Sequence, residues 1–161
     1  MNKKLFTTFK RLVDYKCEEK NRMNTIKLKK YEQYNENEIL TLYNSVEWIN
    51  YTNNPEMLRN AFNNSLTIVG AYEDERLIGI IRVVGDGHSI IYIQDIIVLP
   101  EYQRKGIGTL MIQEILNLYA HVYQKILLTE NQPNTVEFYK KMNFIPDFEM
   151  GCVAFGHLTF I

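Results

Sequence analysis

Several things are scarce in this sequence, and each scarcity closes a class of function. Charge of one sign is scarce: the formal net charge is −1 over 161 residues. That balance gives no electrostatic case for nucleic acid as a partner. There are two cysteines, Cys17 and Cys152, far apart in the chain. They suggest neither a disulfide framework nor a metal site, and a reducing cytoplasmic setting fits them. No stretch approaches the eighteen or so apolar residues of a membrane span, and no apolar segment precedes a small-residue cleavage site. His88, His121 and His157 have no ligand spacing to one another, so no metal is expected. No period of 20–50 residues recurs, which excludes a repeat architecture.

What is there suits one domain with a substantial core: 46% of the residues are hydrophobic and 23% charged. Residues 1–22 differ from the rest, with seven Lys/Arg against three Asp/Glu. They read as a basic extension, helical or loosely attached, with Met23 a candidate start and a single domain over 23–161. Thr25 to Tyr31 reads as a strand. Asn35 or Asn37 caps a helix carrying Ile39, Leu42, Tyr43 and Val46. Trp48, Ile49 and Tyr51 fall in a polar linker, and Pro55 opens a second helix. Leu66–Tyr72 and Leu77–Val84 read as a hairpin with Glu73-Asp74-Glu75-Arg76 as its solvated tip, and Gly85-Asp86-Gly87 turns again. A strand over 125–129, a helix from Pro133 through Met142 and a mostly β tail from Phe148 follow. The expected architecture is α/β: a mixed sheet with helices on both faces, since the strand-helix-strand crossover over 90–129 should be parallel and right-handed.

The stretch from Ile90 to Leu116 organises this order. Ile90 to Val98 is apolar and β-branched apart from Gln94 and Asp95, so it reads as a buried strand. Pro100 ends it. Gln103-Arg104-Lys105-Gly106-Ile107-Gly108-Thr109 then opens a helix in which Leu110, Ile112, Ile115 and Leu116 form an apolar face. A strand feeding a glycine-containing helix start is an anion site, because the first-turn N–H groups have no intrahelical partner and the macrodipole is positive there. No Gly-Lys-Ser/Thr completes a P-loop, and Met111 stands where a dinucleotide fingerprint has its third glycine.

The spacing Gln-x-x-Gly-x-Gly after a strand-ending Pro-Glu-Tyr resembles the pyrophosphate loop of the GCN5-related N-acetyltransferases. Asn134 to Phe144 resembles the same family's late helix, which usually ends Tyr-x-x-x-Gly-Phe. Asn143 stands in for that glycine, and asparagine tolerates the left-handed conformation needed there. Asn134 with Glu137 is similar to a capping box. The resemblance runs from about Thr25 to the C-terminus and implies the acyl-CoA N-acyltransferase fold, with strands that splay beyond the central pair. It implies acetyl-CoA as co-substrate, its pyrophosphate held by residues 103–109 with Arg104 and Lys105 adding charge. It further implies that Ile96, Ile97 and Val98 pair with the pantetheine arm, with a bulge near Ile97 and Val98 supplying an oxyanion donor. Asn131 and Asn134 become candidate coenzyme contacts and Tyr139 the general acid, although on its own Tyr139 reads first as core on an apolar helix face.

The chemistry explains these groups. A neutral amine is needed to attack a thioester, and deprotonating an ordinary ammonium at pH 7 costs about 4–5 kcal/mol. A base or a relaying water supplies part of this, and an acid protonates the departing thiolate. Many relatives carry Glu or His at the place of Gln94, which cannot take a proton but can orient water or the acceptor. Asp95 is the nearest carboxylate, read either as the base or as a structural acceptor. Trp48 and Tyr51 are candidate acceptor contacts, suited to an apolar or cationic amine. Cys152 reads as a small buried hydrophobe. The expected activity is acetyl transfer from acetyl-CoA to a small-molecule primary amine. The alternatives are a protein N-terminal or lysine acceptor and a non-catalytic acyl-CoA-binding module. Val153, Phe155, Leu158, Phe160 and Ile161 are candidates for a homodimer contact.

Overall fold

The computed structural model describes residues 26–157. The basic extension over 1–22 and its helix, Cys17, Met23 and Thr25 lie outside the described residues, as do Leu158, Phe160 and Ile161. The described chain forms two compact units, divided after Ile126.

The first unit is a strand meander with helices laid on it. Strand β1 (Ile26–Lys30) leads into α1 (Glu36–Ser45), capped by Asn35, whose side chain accepts from the backbone N–H of Asn37 at 3.1 Å and of Glu38 at 3.4 Å. Helix α2 (Ile49–Thr52) is a single turn where the sequence suggested only a linker. Helix α3 (Pro55–Asn63) starts with proline in its first turn and is capped by Asn54. Strands β2 (Thr67–Glu73), β3 (Arg76–Gly85) and β4 (Ile90–Val98) run antiparallel in succession. A 3₁₀ turn at Pro100–Tyr102 precedes α4 (Ile107–Leu118). Strand β5 (Gln124–Leu127) completes the order β1-β2-β3-β4-β5.

Helices cover both faces of this sheet. Leu77 through Val83 of β3 are buried without a break, which a sheet wet on one side would not show. The faces separate by parity. Arg82 lies over the ring of Phe62 of α3 at 5.5 Å. On the other parity, a Cβ at Gly79 would come within 3.4 Å of Met111 of α4 and within 2.9 Å of the Ile97 carbonyl, so only glycine fits there. Thus α1 and α3 lie on one face and α4 on the other.

The second unit holds α5 (Pro133–Lys140) and a 3₁₀ turn over Asp147–Met150. Three expectations are corrected here. Gln132, not Asn134, is the N-cap of α5, without a side-chain cap bond. Pro133 takes the first helical position and holds the residue before it extended, so Asn134 is already inside the helix and Glu137 pairs with Lys141 at 2.8 Å instead. The tail is not β: Phe148 is in the 3₁₀ turn and residues 152–157 carry no regular structure. Its backbone bonds go to Asp147, whose carbonyl accepts from the Cys152 N–H at 3.0 Å and whose carboxylate accepts from the Ala154 N–H at 3.2 Å. Cys152 is exposed rather than buried. Among the described residues no helix is long and apolar enough to cross a membrane, and no cluster of three His, Cys, Asp or Glu side chains is placed to hold a metal.

Candidate active site

The junction of β4 and α4 is built as the motif spacing requires. Gly106 is the N-cap of α4 at φ 82°, a left-handed conformation that a β-carbon disfavours, and no side chain caps the helix. The first-turn amides of Ile107, Gly108 and Thr109 therefore have no partner within the helix, and no acidic residue sits in that turn to compete for them. Arg104 also has positive φ, 60°, and is exposed. Gln103 ties the loop to the strand it leaves, its side-chain amide donating to the Val98 carbonyl at 2.9 Å. The Lys105 ammonium donates to the Glu101 carbonyl and lies 5.0 Å from the Tyr102 ring centre. The hairpin tip is not merely solvated: Arg76 pairs with Glu101 at 3.0 Å, and Tyr102 donates to the Glu73 carboxylate, so the β2–β3 turn braces the loop.

The bulge on β4 is displaced from its expected place. Ile97 pairs with Ile80 and Val98 with Gly79 in unbroken register. The irregularity comes where Arg82 opposes Asp95 and Val83 opposes Ile93, leaving Gln94 as the extra residue. Without it, polar Gln94 would stand opposite the fully buried Val83. The extra residue lets Ile93 take that place, while Arg82 and Asp95 fix the register on the other side.

Gln94 is half-buried, and its amide nitrogen donates to the Tyr51 hydroxyl at 3.3 Å. Tyr51 lies beside Trp48, ring centres 5.9 Å apart. The three residues expected to meet an acceptor are thus brought together. They sit at one part of the strand whose end, four residues on and about 13 Å away at the usual strand rise, feeds the amide-rich turn.

Asp95 has different surroundings. It is buried, and its Oδ2 accepts from Arg82 Nε and from the Tyr43 hydroxyl, the latter at 2.8 Å. Oδ1 is buried without a hydrogen-bond partner. Burial, and after it the Asp95 charge, pushes the Tyr43 phenol well above its ordinary range, so Tyr43 stays protonated and donates. Both members of the Arg82–Asp95 pair are almost wholly enclosed; removing one partner alone would cost about 3–5 kcal/mol. Arg82 and the hydroxyl role of Tyr43 escaped the sequence reading. The available signal was a lone Arg in one apolar strand and a lone Asp in the next, since buried charges come in pairs.

In the second unit Tyr139 is buried against Phe138 and Phe144, with ring centres at 5.0 and 5.8 Å. Burial raises its hydroxyl pKa to about 12, partly offset by a hydrogen bond with Thr129. Asn143, just past the helix, has φ 64°, the left-handed conformation its position called for. Asn131 and Asn134 are both exposed.

The model of the acetyltransferase (GNAT) domain matches residues 29–156. The chain belongs to the GNAT acetyltransferase family. Among solved structures, this GNAT domain is similar to a GNAT-family acetyltransferase from Streptococcus pneumoniae TIGR4, with 38% identity over 83% of this chain and 98% of that one, and a TM-score of 0.76. It is 26% identical to the uncharacterized N-acetyltransferase ycf52 of Pyropia yezoensis, over 86% of this chain and 82% of the relative. It shares its fold with the PaiA N-acetyltransferase of Thermoplasma acidophilum, solved in complex with coenzyme A, at 19% identity over 73% of this chain and 87% of that one, TM-score 0.58. The acetyltransferase fold and activity expected from the sequence are thus those of its family.

Proposed function

We propose that this enzyme transfers acetyl from acetyl-CoA to a primary amine of a small molecule, by direct attack in a ternary complex. The observation that carries the reading is the start of α4. Its first-turn amides follow a left-handed Gly106, with no acidic side chain among them, at the end of the loop that leaves the buried strand β4. Such a turn fits a diphosphate. Residues 103–109 hold it there, with Arg104 and Lys105 contributing charge, and the backbone of Ile96, Ile97 and Val98 lines the pantetheine arm. Asn131 and Asn134 are further polar contacts for the coenzyme. When bound, acetyl-CoA supplies an activated thioester carbonyl and a thiolate leaving group.

This chain's residues do the rest. Trp48 and Tyr51 present aromatic surface to the acceptor, which favours an amine carrying an apolar or cationic body. Gln94 orients the amine or a water that carries its proton outward; it cannot accept the proton itself. Asp95, with Arg82 and Tyr43 on its Oδ2, serves as an anchor rather than a base. Tyr139 gives its proton to the departing thiolate, and its raised pKa keeps that proton in place at neutral pH.

Thiol release from acetyl-CoA, followed with a panel of small amines and a panel of peptides, tests this. The expected result is turnover with small amines, falling about a hundredfold in kcat in Tyr139→Phe. Turnover with peptides alone, or a Tyr139→Phe enzyme of full rate, contradicts it.

A further inference from the structure

Helix α2 carries Tyr51 and is entered through Trp48, the two aromatic residues of the acceptor end, yet it cannot hold itself. It is four residues long, none of them buried, and Trp48 at its entry makes no side-chain cap bond. A single turn is well below the length at which a helix is stable alone. Glu47, just before it, has φ 60°, a conformation that other contacts must maintain.

Those contacts converge on Tyr43. Its carbonyl accepts from the Trp48 N–H at 3.1 Å. Its ring meets Trp48 edge-on at 5.7 Å and Tyr51 at 5.5 Å. It is fully buried, and its hydroxyl is fastened to Asp95, which Arg82 grips from the neighbouring strand. Asp95 adjoins Gln94, which holds Tyr51 directly. Two successive residues of β4 therefore reach the same helical turn, one through Tyr43 and one in person.

We propose that Tyr43 and Asp95 are a positioning pair for the acceptor amine: the buried hydrogen bond between them sets where Trp48 and Tyr51 stand relative to Gln94, and so governs acceptor affinity without touching the acetyl group. This rests on the acceptor site proposed above. It assigns a specificity role to two core residues that touch neither substrate.

Trp48 is the only tryptophan in the chain, so its emission reports the placement of this turn with no substrate present. In full-length Tyr43→Phe, which keeps the ring but loses its anchor to Asp95, Trp48 emission should shift to the red, with acrylamide quenching raised about twofold as the indole packs less firmly on that ring. The acceptor KM should rise about tenfold while kcat and the acetyl-CoA KM stay within about twofold of the parent. Asp95→Asn, which keeps the shape but loses the charge that grips Arg82, should move both readouts in the same direction. Unchanged emission and acceptor KM in a folded Tyr43→Phe protein overturn the proposal. So does an equal loss of kcat with every acceptor, or failure of both variants to fold, since the pair would then serve the core as a whole. If the parent enzyme turns over no amine, the acetyl-transfer reading fails on its own, and the substrate-free emission still decides the placement.

Discussion

Asp86 builds a turn around its own carboxylate. Oδ1 accepts from the N–H groups of His88 and Ser89 at 2.8 Å and of Ile90 at 3.1 Å, and Oδ2 accepts from the Ser89 hydroxyl at 2.5 Å. The Ser89 hydroxyl, then those amides, hold its pKa well below the usual carboxylate range. A depressed folded-state pKa stabilises the fold above the unfolded value, about 3.9, and the contribution is lost as pH falls from there toward the folded value. Asp86→Ala should therefore melt below the parent at neutral pH, and the gap should narrow below about pH 4. Thermal melts across pH check this, and a gap that does not depend on pH contradicts it. The sequence showed the turn through its glycines but not this carboxylate, because its bonds depend on where the amides that follow it point. The same scale hid Arg82. Its partner lies thirteen residues away in sequence, and only strand register brings the two face to face. Asn143 was legible because the helix end demands one backbone conformation whatever the surrounding fold.

Among the elements, the start of α4 is the proposed coenzyme site, and Gly106 gives it its shape. Gly106→Ala places a β-carbon at φ 82°, where an L-residue is strained by about 1–2 kcal/mol. If the turn must keep that shape to present its amides, acetyl-CoA affinity should fall about tenfold while the fold persists. Calorimetric titration of the variant reads this directly, and a parental Kd would mean the amides do not hold the diphosphate. Most elements were legible from apolar spacing, and β2, β3 and β4 sit within a residue or so of their expected bounds. Two were not. Helix α2 is one turn, too short to show a period, and exists through tertiary contact with Tyr43. The tail beyond Phe148 has the apolar composition of a strand, but its amides are taken by Asp147, and composition does not say where backbone bonds go.

At the scale of the whole molecule, the mixed sheet with helices on both faces followed from element order alone. The meander of β2 to β4 and the helix between β4 and β5 leave few other arrangements. The candidate site was legible where a motif concentrates it in one stretch, at residues 94–109. It was less so where the fold assembles it from distant pieces, as with Tyr43, Asp95 and Arg82. The proposed activity depends on recognition of a coenzyme diphosphate by the turn that Gly106 opens. Its most direct test is isothermal titration of the full-length protein with acetyl-CoA and with CoA. Saturable binding of both, at about one per chain and weakening as salt is raised, is the predicted result. Absence of heat and of any thermal stabilisation in well-folded protein would contradict it.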